Sequence, residues 1–133
     1  MERIGIVVSQ FNYEITGEML KRAIERAKEV GAKVVSVIEV PGTYEIPLAA
    51  QGLLKDKNVD GVAALGTIIK GGTDHDVVIA HSVARCLLDL QIQHKKPVSL
   101  GISGPNITWQ QSEKRIEEYA LRSIDTLVRV LRR

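Results

Sequence analysis

Cysteine is almost missing from this chain. Cys86 stands alone, which excludes an internal disulfide and any multi-cysteine metal site and fits a reducing compartment. With Ala84, Leu87 and Leu88 around it, Cys86 reads as a core residue. Long apolar runs are missing too. Met1 to Val8 is too short for the apolar centre of a signal peptide, and no later stretch approaches a membrane span, so the protein is expected in the cytoplasm, with no membrane partner. Nor does one sign of charge prevail: 18 Lys and Arg against 16 Asp and Glu leave a net charge of +2. No block of like charge exceeds the short Arg132-Arg133 end, and the basic residues are interleaved with Glu instead of gathering with aromatics, so no nucleic-acid partner is expected. His-x-x-x-His spacing and carboxylate clusters are absent, and no catalytic metal is expected.

What is present is an ordinary globular composition, 44% apolar and 26% charged over 133 residues, which accommodates one domain, residues 1–133, and not two. Ile4-Gly5-Ile6-Val7-Val8 is short, apolar and β-branched, as a strand buried on both faces requires. From Ile15 to Val30 the residues Met19, Leu20, Ala23, Ile24 and Ala27 recur at helical spacing, and Gly31 follows where a helix cap belongs. Val34 to Val40 is a second strand stopped by Pro41-Gly42, and Pro47 opens a second helix through Leu48, Ala49, Leu53 and Leu54. Val59 to Ile69 and Val98 to Ile102 are further strands; Asp76 to Gln93 and Thr108 to Leu131 are further helices. Four βα repeats predict an α/β fold, a flavodoxin-like three-layer sandwich with a four-stranded parallel sheet and helices on both faces. Ligands of such sheets bind outside the carboxyl ends of the strands.

Those strand exits hold the unusual residues. Only five aromatics occur, and Phe11, Tyr13, Tyr44 and Trp109 all fall in or just after strand exits. Either they present faces to a flat ligand or they cap the sheet end by packing on loops; Phe11, between polar Gln10 and Asn12, is the strongest ligand candidate. After the third strand, Gly71-Gly72-Thr73 leads into a helix whose first N–H groups lack partners, a place suited to an anion, although the spacing is not that of a nucleotide-triphosphate loop and such a motif is more often a plain turn. His75, between Asp74 and Asp76 at that helix start, is placed to pass protons to a bound substrate. His81 reads as structural or interfacial, and His94 as a solvated helix end. Glu45 reads either as an acid at a helix N-terminus or as an acceptor for a heterocycle.

Taken in order, Ser9-Gln10-Phe11-Asn12 with Ile15-Thr16, Val40-Pro41-Gly42-Thr43-Tyr44-Glu45-Ile46-Pro47, and Gly66-Thr67-Ile68-Ile69-Lys70-Gly71-Gly72-Thr73-Asp74-His75 resemble the 6,7-dimethyl-8-ribityllumazine synthase family across essentially the whole chain. Gly101-Ile102-Ser103-Gly104-Pro105 resembles its archaeal branch. The resemblance implies a transferase of riboflavin biosynthesis that condenses 5-amino-6-(D-ribitylamino)uracil with 3,4-dihydroxy-2-butanone 4-phosphate, releasing phosphate and water and using no metal or organic cofactor. It implies roles as well. Phe11 would stack on the pyrimidine; Thr43, Tyr44 and Glu45 with Thr67, Ile68 and Ile69 would line its polar edge and ribityl chain; Gly72 and Thr73 would hold phosphate; His75 would transfer protons. The family's phosphate-binding arginine belongs in the helix after the fourth strand, a role that falls to Arg115, with Lys114 as the alternative. Two departures stand out: Leu100 occupies a position where phenylalanine is usual, and the last helix lacks a Gly-Asn-Lys-Gly segment. The rival enzyme is the archaeal type of riboflavin synthase, which converts two lumazine molecules; the rival of another class is a flavin- or nucleotide-binding module with no reaction of its own. Phe11-Asn12 and Thr73-Asp74-His75 favour lumazine synthase.

Assembly is expected too. Val77, Val78, Ile79, Ala80, Val83, Ala84, Leu87, Leu88, Leu90 and Ile92 cover more of one helix than a single core-facing stripe needs, which predicts a homo-oligomer. The resemblance implies a pentamer or a larger shell with active sites shared between adjacent subunits, where Phe11, Glu45, Gly72, Thr73 and His75 of one chain face Leu100 and Arg115 of the next.

Overall fold

Strands that are apolar at every position need a helix on each side, and the chain supplies them alternately. In the computed structural model, which describes residues Met1–Arg133, β1 (Arg3–Ser9) is followed by α1 (Tyr13–Glu29), β2 (Lys33–Val40), a 3-10 turn (Thr43–Glu45) and α2 (Ile46–Leu54). Then come β3 (Gly61–Ile69), α3 (His75–His94), β4 (Val98–Ile107), α4 (Trp109–Lys114) and α5 (Ile116–Leu131). The sheet is entirely parallel in the order β2-β1-β3-β4, the flavodoxin-like arrangement that the alternation predicts.

The two faces are built from alternate residues of the same strands. Ile4, Ile6 and Val8 of β1 with Ala63 and Leu65 of β3 pack under α1 and α5, against Met19, Ala23, Ile124 and Leu127. Val7, Val62, Ala64 and Ile68 pack under α2 and α3, against Ile46, Leu53, Val83 and Leu87. Each fully buried large aliphatic side chain contributes roughly 1.5–3 kcal/mol. Gly31 caps α1 in the left-handed region (φ 78), as its position after the helical pattern predicts. Because the chain runs from β1 outward to β2 and then back past β1 to β3, α1 leaves β1 on one face while α3 leaves β3 on the other. A crevice therefore opens between the exits of β1 and β3.

Several local expectations are corrected. β4 does not stop at Ile102 but continues to Ile107. Gly104-Pro105, a stop signal in sequence, is absorbed by a register shift opposite Ile68, after which Ile69 pairs with Ile107. Gly104 sits at φ 113, and a Cβ there would lie 2.5 Å from the Ile68 carbonyl oxygen, so only glycine fits. The closing helix is two helices, broken at Arg115 (φ −102, ψ 8). The reason is anchorage: α4 is tied to the strand ends by Ser112, whereas α5 turns Ala120, Ile124 and Leu127 onto the sheet. Cys86 is exposed, not core, because the buried stripe of α3 runs through Val83, Leu87 and Leu90. His94 is half-buried with Nε2 enclosed, not a solvated end, where the chain doubles back at the left-handed Lys95.

Candidate active site

The β1 exit presents Phe11 with its backbone fixed from both sides. Gln10 N–H donates to the Val40 carbonyl (2.8 Å) and Phe11 N–H to the Pro41 carbonyl (3.0 Å), so the loop is a continuation of β1–β2 pairing. Asn12, left-handed at φ 60, turns the chain into α1, and its carbonyl accepts from Ile15 and Thr16. The Thr16 hydroxyl donates back to the Ser9 carbonyl at 2.6 Å. The Phe11 ring itself is 70% exposed. The backbone is fixed by these bonds while the apolar ring is left open to contact from outside.

That ring stands at one wall of a cleft of about 430 Å³, lined also by Gly42, Thr43, Tyr44, Thr67, Ile68, Ile69, Gly71, Thr73, His75, Asp76 and Ile79. The cleft thus gathers Phe11, Thr43, Tyr44, Thr67, Ile68, Ile69, Thr73 and His75 of the residues singled out in the sequence. Gly71 reaches the lining and Gly72 does not; both glycines are exposed, with open space where a Cβ would stand. His75 is exposed at the first position of α3, one residue earlier than the sequence pattern places the helix. Its own N–H meets the Thr73 hydroxyl at 3.3 Å, and the Asp74 side chain forms no cap bond.

Two polar side chains have commitments that the sequence does not reveal. The Thr67 hydroxyl points into the body of the protein, in a closed ring with Ser112 (2.6 Å) and Ser103 (2.8 Å), themselves 3.1 Å apart. All three residues are buried, and the ring satisfies them mutually while joining β3, β4 and α4. Glu45 accepts the Gly42 N–H at 2.9 Å across the 3-10 turn, the helix-terminal role that is one of its two readings, and lies outside the cleft lining. Among the four exit aromatics, only Phe11 and Tyr44 line the cleft. Tyr13 lies over Gly17 on α1 with its phenol beside Glu39, whose carboxylate raises the phenol's pKa; Trp109 packs against the core.

The cleft thus joins an aromatic platform, a glycine turn at a helix start and an exposed histidine. The full length of the chain, residues 1–133, matches the family model described as 6,7-dimethyl-8-ribityllumazine synthase. The chain belongs to the 6,7-dimethyl-8-ribityllumazine synthase family. It is 52% identical to the protein of that name from Staphylothermus marinus over 133 residues, all of this chain and 89% of the relative. It is also 52% identical to that of Metallosphaera sedula over 131 residues, 98% of this chain and 87% of the relative. Identity to the Pyrobaculum arsenaticum protein of the same name is 46% over 133 residues, again all of this chain and 89% of the relative.

Besides Glu45 and Gly72, two residues linked to the site by resemblance to the family do not line this chain's cleft. Leu100, half-exposed on β4, borders a separate hollow of about 200 Å³ with His81, Gly104 and Pro105. Arg115 is exposed at the α4–α5 break and Lys114 is exposed just before it. Gly42, Asp76 and Ile79 line the cleft without standing out in the sequence as ligand contacts. For Asp76 a signal exists, since it falls on the same face of α3 as Val83, Leu87 and Leu90, the stripe that turns inward. No helix is long and apolar enough to cross a membrane.

Proposed function

We propose that the protein forms 6,7-dimethyl-8-ribityllumazine from 5-amino-6-(D-ribitylamino)uracil and 3,4-dihydroxy-2-butanone 4-phosphate, as a cytoplasmic transferase of riboflavin biosynthesis. The observation that carries this reading is the single cleft in which Phe11, the Gly71-to-Thr73 turn and His75 converge. Phe11 offers a face to the pyrimidine ring, with Thr43 and Tyr44 alongside and the backbone of Thr67, Ile68 and Ile69 along the ribityl chain. Gly71, Gly72 and Thr73 receive the phosphate at the start of α3, where first-turn N–H groups lack helical partners. The substrates then lie edge to edge: the 5-amino group attacks the ketone and water leaves to give an imine. A proton is removed as phosphate departs, and ring closure expels a second water. Proximity supplies much of the acceleration, and His75 moves the protons.

Charge supports a site completed by a second copy of the chain. No Lys or Arg lines the cleft, the nearby Lys70 ammonium is directed at Asn106 Oδ1 (3.4 Å), and Asp74 and Asp76 flank His75. A phosphate dianion there calls for a cation from elsewhere, and we assign Arg115 of an adjacent subunit, with Leu100 of that subunit closing the ring site. Apolar surface favours the same assembly. Leu48, Val78, Leu88 and Ile92 are at least half-exposed, and an apolar groove of about 470 Å³ runs between α2 and α3 past Tyr44, Leu48 and Cys86, surface that a second copy of the chain would cover.

The test is to mix the two substrates with the protein and to follow inorganic phosphate together with lumazine absorbance. Both rise if the reading holds. Substrate binding without phosphate release would point to a non-catalytic module, and conversion of lumazine alone to riboflavin would point to a riboflavin synthase.

A further inference from the structure

The segment carrying the glycines and His75 has few anchors of its own. Lys70, Gly71, Gly72, Thr73, Asp74 and His75 are all exposed, a Cβ on Gly71 or Gly72 would touch nothing, and the bond between His75 N–H and Thr73 is long. Yet the two ends of the segment stand on adjacent residues of β4. At one end Lys70 N–H donates to the Ile107 carbonyl at 2.9 Å; at the other the Asp76 carboxylate, through Oδ2, accepts the Asn106 N–H at 2.9 Å. Asp76 is 4% exposed, immediately follows His75 and lines the cleft. Its second oxygen, Oδ1, is enclosed without a partner. Carboxylates are rarely buried, and a bond from an N–H to an ionised acceptor is among the stronger hydrogen bonds in a protein.

We infer that Asp76 is a positioning residue: its carboxylate pins the start of α3 to Asn106 and so fixes the phosphate turn and the His75 imidazole relative to the β4 exit. This role rests on the cleft being the lumazine-forming site proposed for it. Asp76 acts through its neighbours and touches no reacting atom. The pyrimidine half of the cleft, held by the pairing of the β1 and β2 exits, is independent of it.

Asp76→Ala removes the acceptor and leaves the Asn106 N–H unpaired; Asp76→Asn removes the charge and keeps a carbonyl acceptor. In steady-state kinetics Asp76→Ala raises KM for the butanone phosphate by about tenfold or more and lowers kcat, as misplacement of a binding group by about 1 Å does, while pyrimidine affinity stays within about twofold. Asp76→Asn keeps most of the wild-type behaviour. Amide hydrogen exchange, which needs no substrate, speeds up at Lys70, Val77 and Val78, the hydrogen-bonded amides at the two ends of the segment, in the alanine variant and not in the asparagine variant. An Asp76→Ala protein with unchanged exchange at those amides, or with both substrates equally weakened, overturns the inference, as does an Asp76→Asn protein as impaired as Asp76→Ala. Absence of turnover in the wild type would instead sink the functional reading, and the exchange result would still decide whether Asp76 anchors the segment.

Discussion

Phe11→Ala separates the two roles open to an aromatic residue at a sheet exit. A ring that caps the fold contributes to stability; a ring held for a ligand contributes to binding. Phe11 is 70% exposed, so truncating it removes little buried area, and the change in folding free energy should stay within about 0.5 kcal/mol. For a domain of this size that amounts to a shift of about 3 °C or less in Tm. Loss of one stacking face on the pyrimidine costs about 1–2 kcal/mol, which is roughly 5- to 30-fold in Kd. Inorganic phosphate, bound at the Gly71-to-Thr73 turn, meets no part of the ring and should bind as before. Calorimetric titration with the pyrimidine and, separately, with phosphate, beside thermal melts, reads all three quantities. A large fall in Tm with pyrimidine affinity intact would make Phe11 a structural cap, and equal weakening of both ligands would remove it from the ring site.

His75→Ala should leave the Tm and both substrate affinities nearly unchanged while slowing turnover by about a hundredfold; single-turnover lumazine formation at wild-type rate would take the imidazole out of the mechanism. If sites are shared, His75→Ala and Arg115→Ala proteins, each impaired alone, should regain activity when unfolded and coassembled, and mixed assemblies with only the parents' average activity would place both residues in one chain's pocket. At the far end of the sheet, hydrogen bonds from Arg132 and from backbone lower the Glu2 pKa from 4.5 to about 2. A depressed acid stabilises the fold fully above its ordinary value and loses that contribution as pH falls toward the folded value. Glu2→Gln should therefore flatten the loss of stability between pH 4.5 and about 2, and parallel wild-type and variant curves in acid melts would count against the clamp.

The central strands β1 and β3 are legible because burial on both faces leaves almost no polar residue in them, and parallel pairing follows once a helix separates each strand from the next. The last third of the fold is harder, for a physical reason. Gly104-Pro105 reads as a stop in any local scheme, but β3 provides a neighbour that tolerates the bulge and pairs again at Ile107. The break at Arg115 is equally hidden, since Trp109 and Ile116 stand seven residues apart, as on one face of a continuous helix, and Gln110 to Arg115 holds no glycine or proline. Only the hydroxyl ring that fastens Ser112 to Thr67 and Ser103 makes α4 and α5 separate bodies.

The site divides along the same line. Phe11 is legible because an apolar ring between Gln10 and Asn12 has no local use, and His75 because it follows a glycine turn. What sequence does not tell is which way the polar groups face. Thr67 looks as though it offers a hydroxyl to a ligand and instead accepts from Ser103 and shares a hydrogen bond with Ser112; Asp76 reads as an acidic neighbour of His75 and instead reaches inward to a backbone N–H on β4. In both cases the deciding partner lies at least 30 residues away in the chain, so neither orientation is a property of the local motif. A substitution at Ser112 should therefore disturb the site as surely as one in the motifs themselves, and at Asn106 it is the left-handed backbone (φ 59) aiming the N–H at Asp76 that a β-branched replacement would disturb.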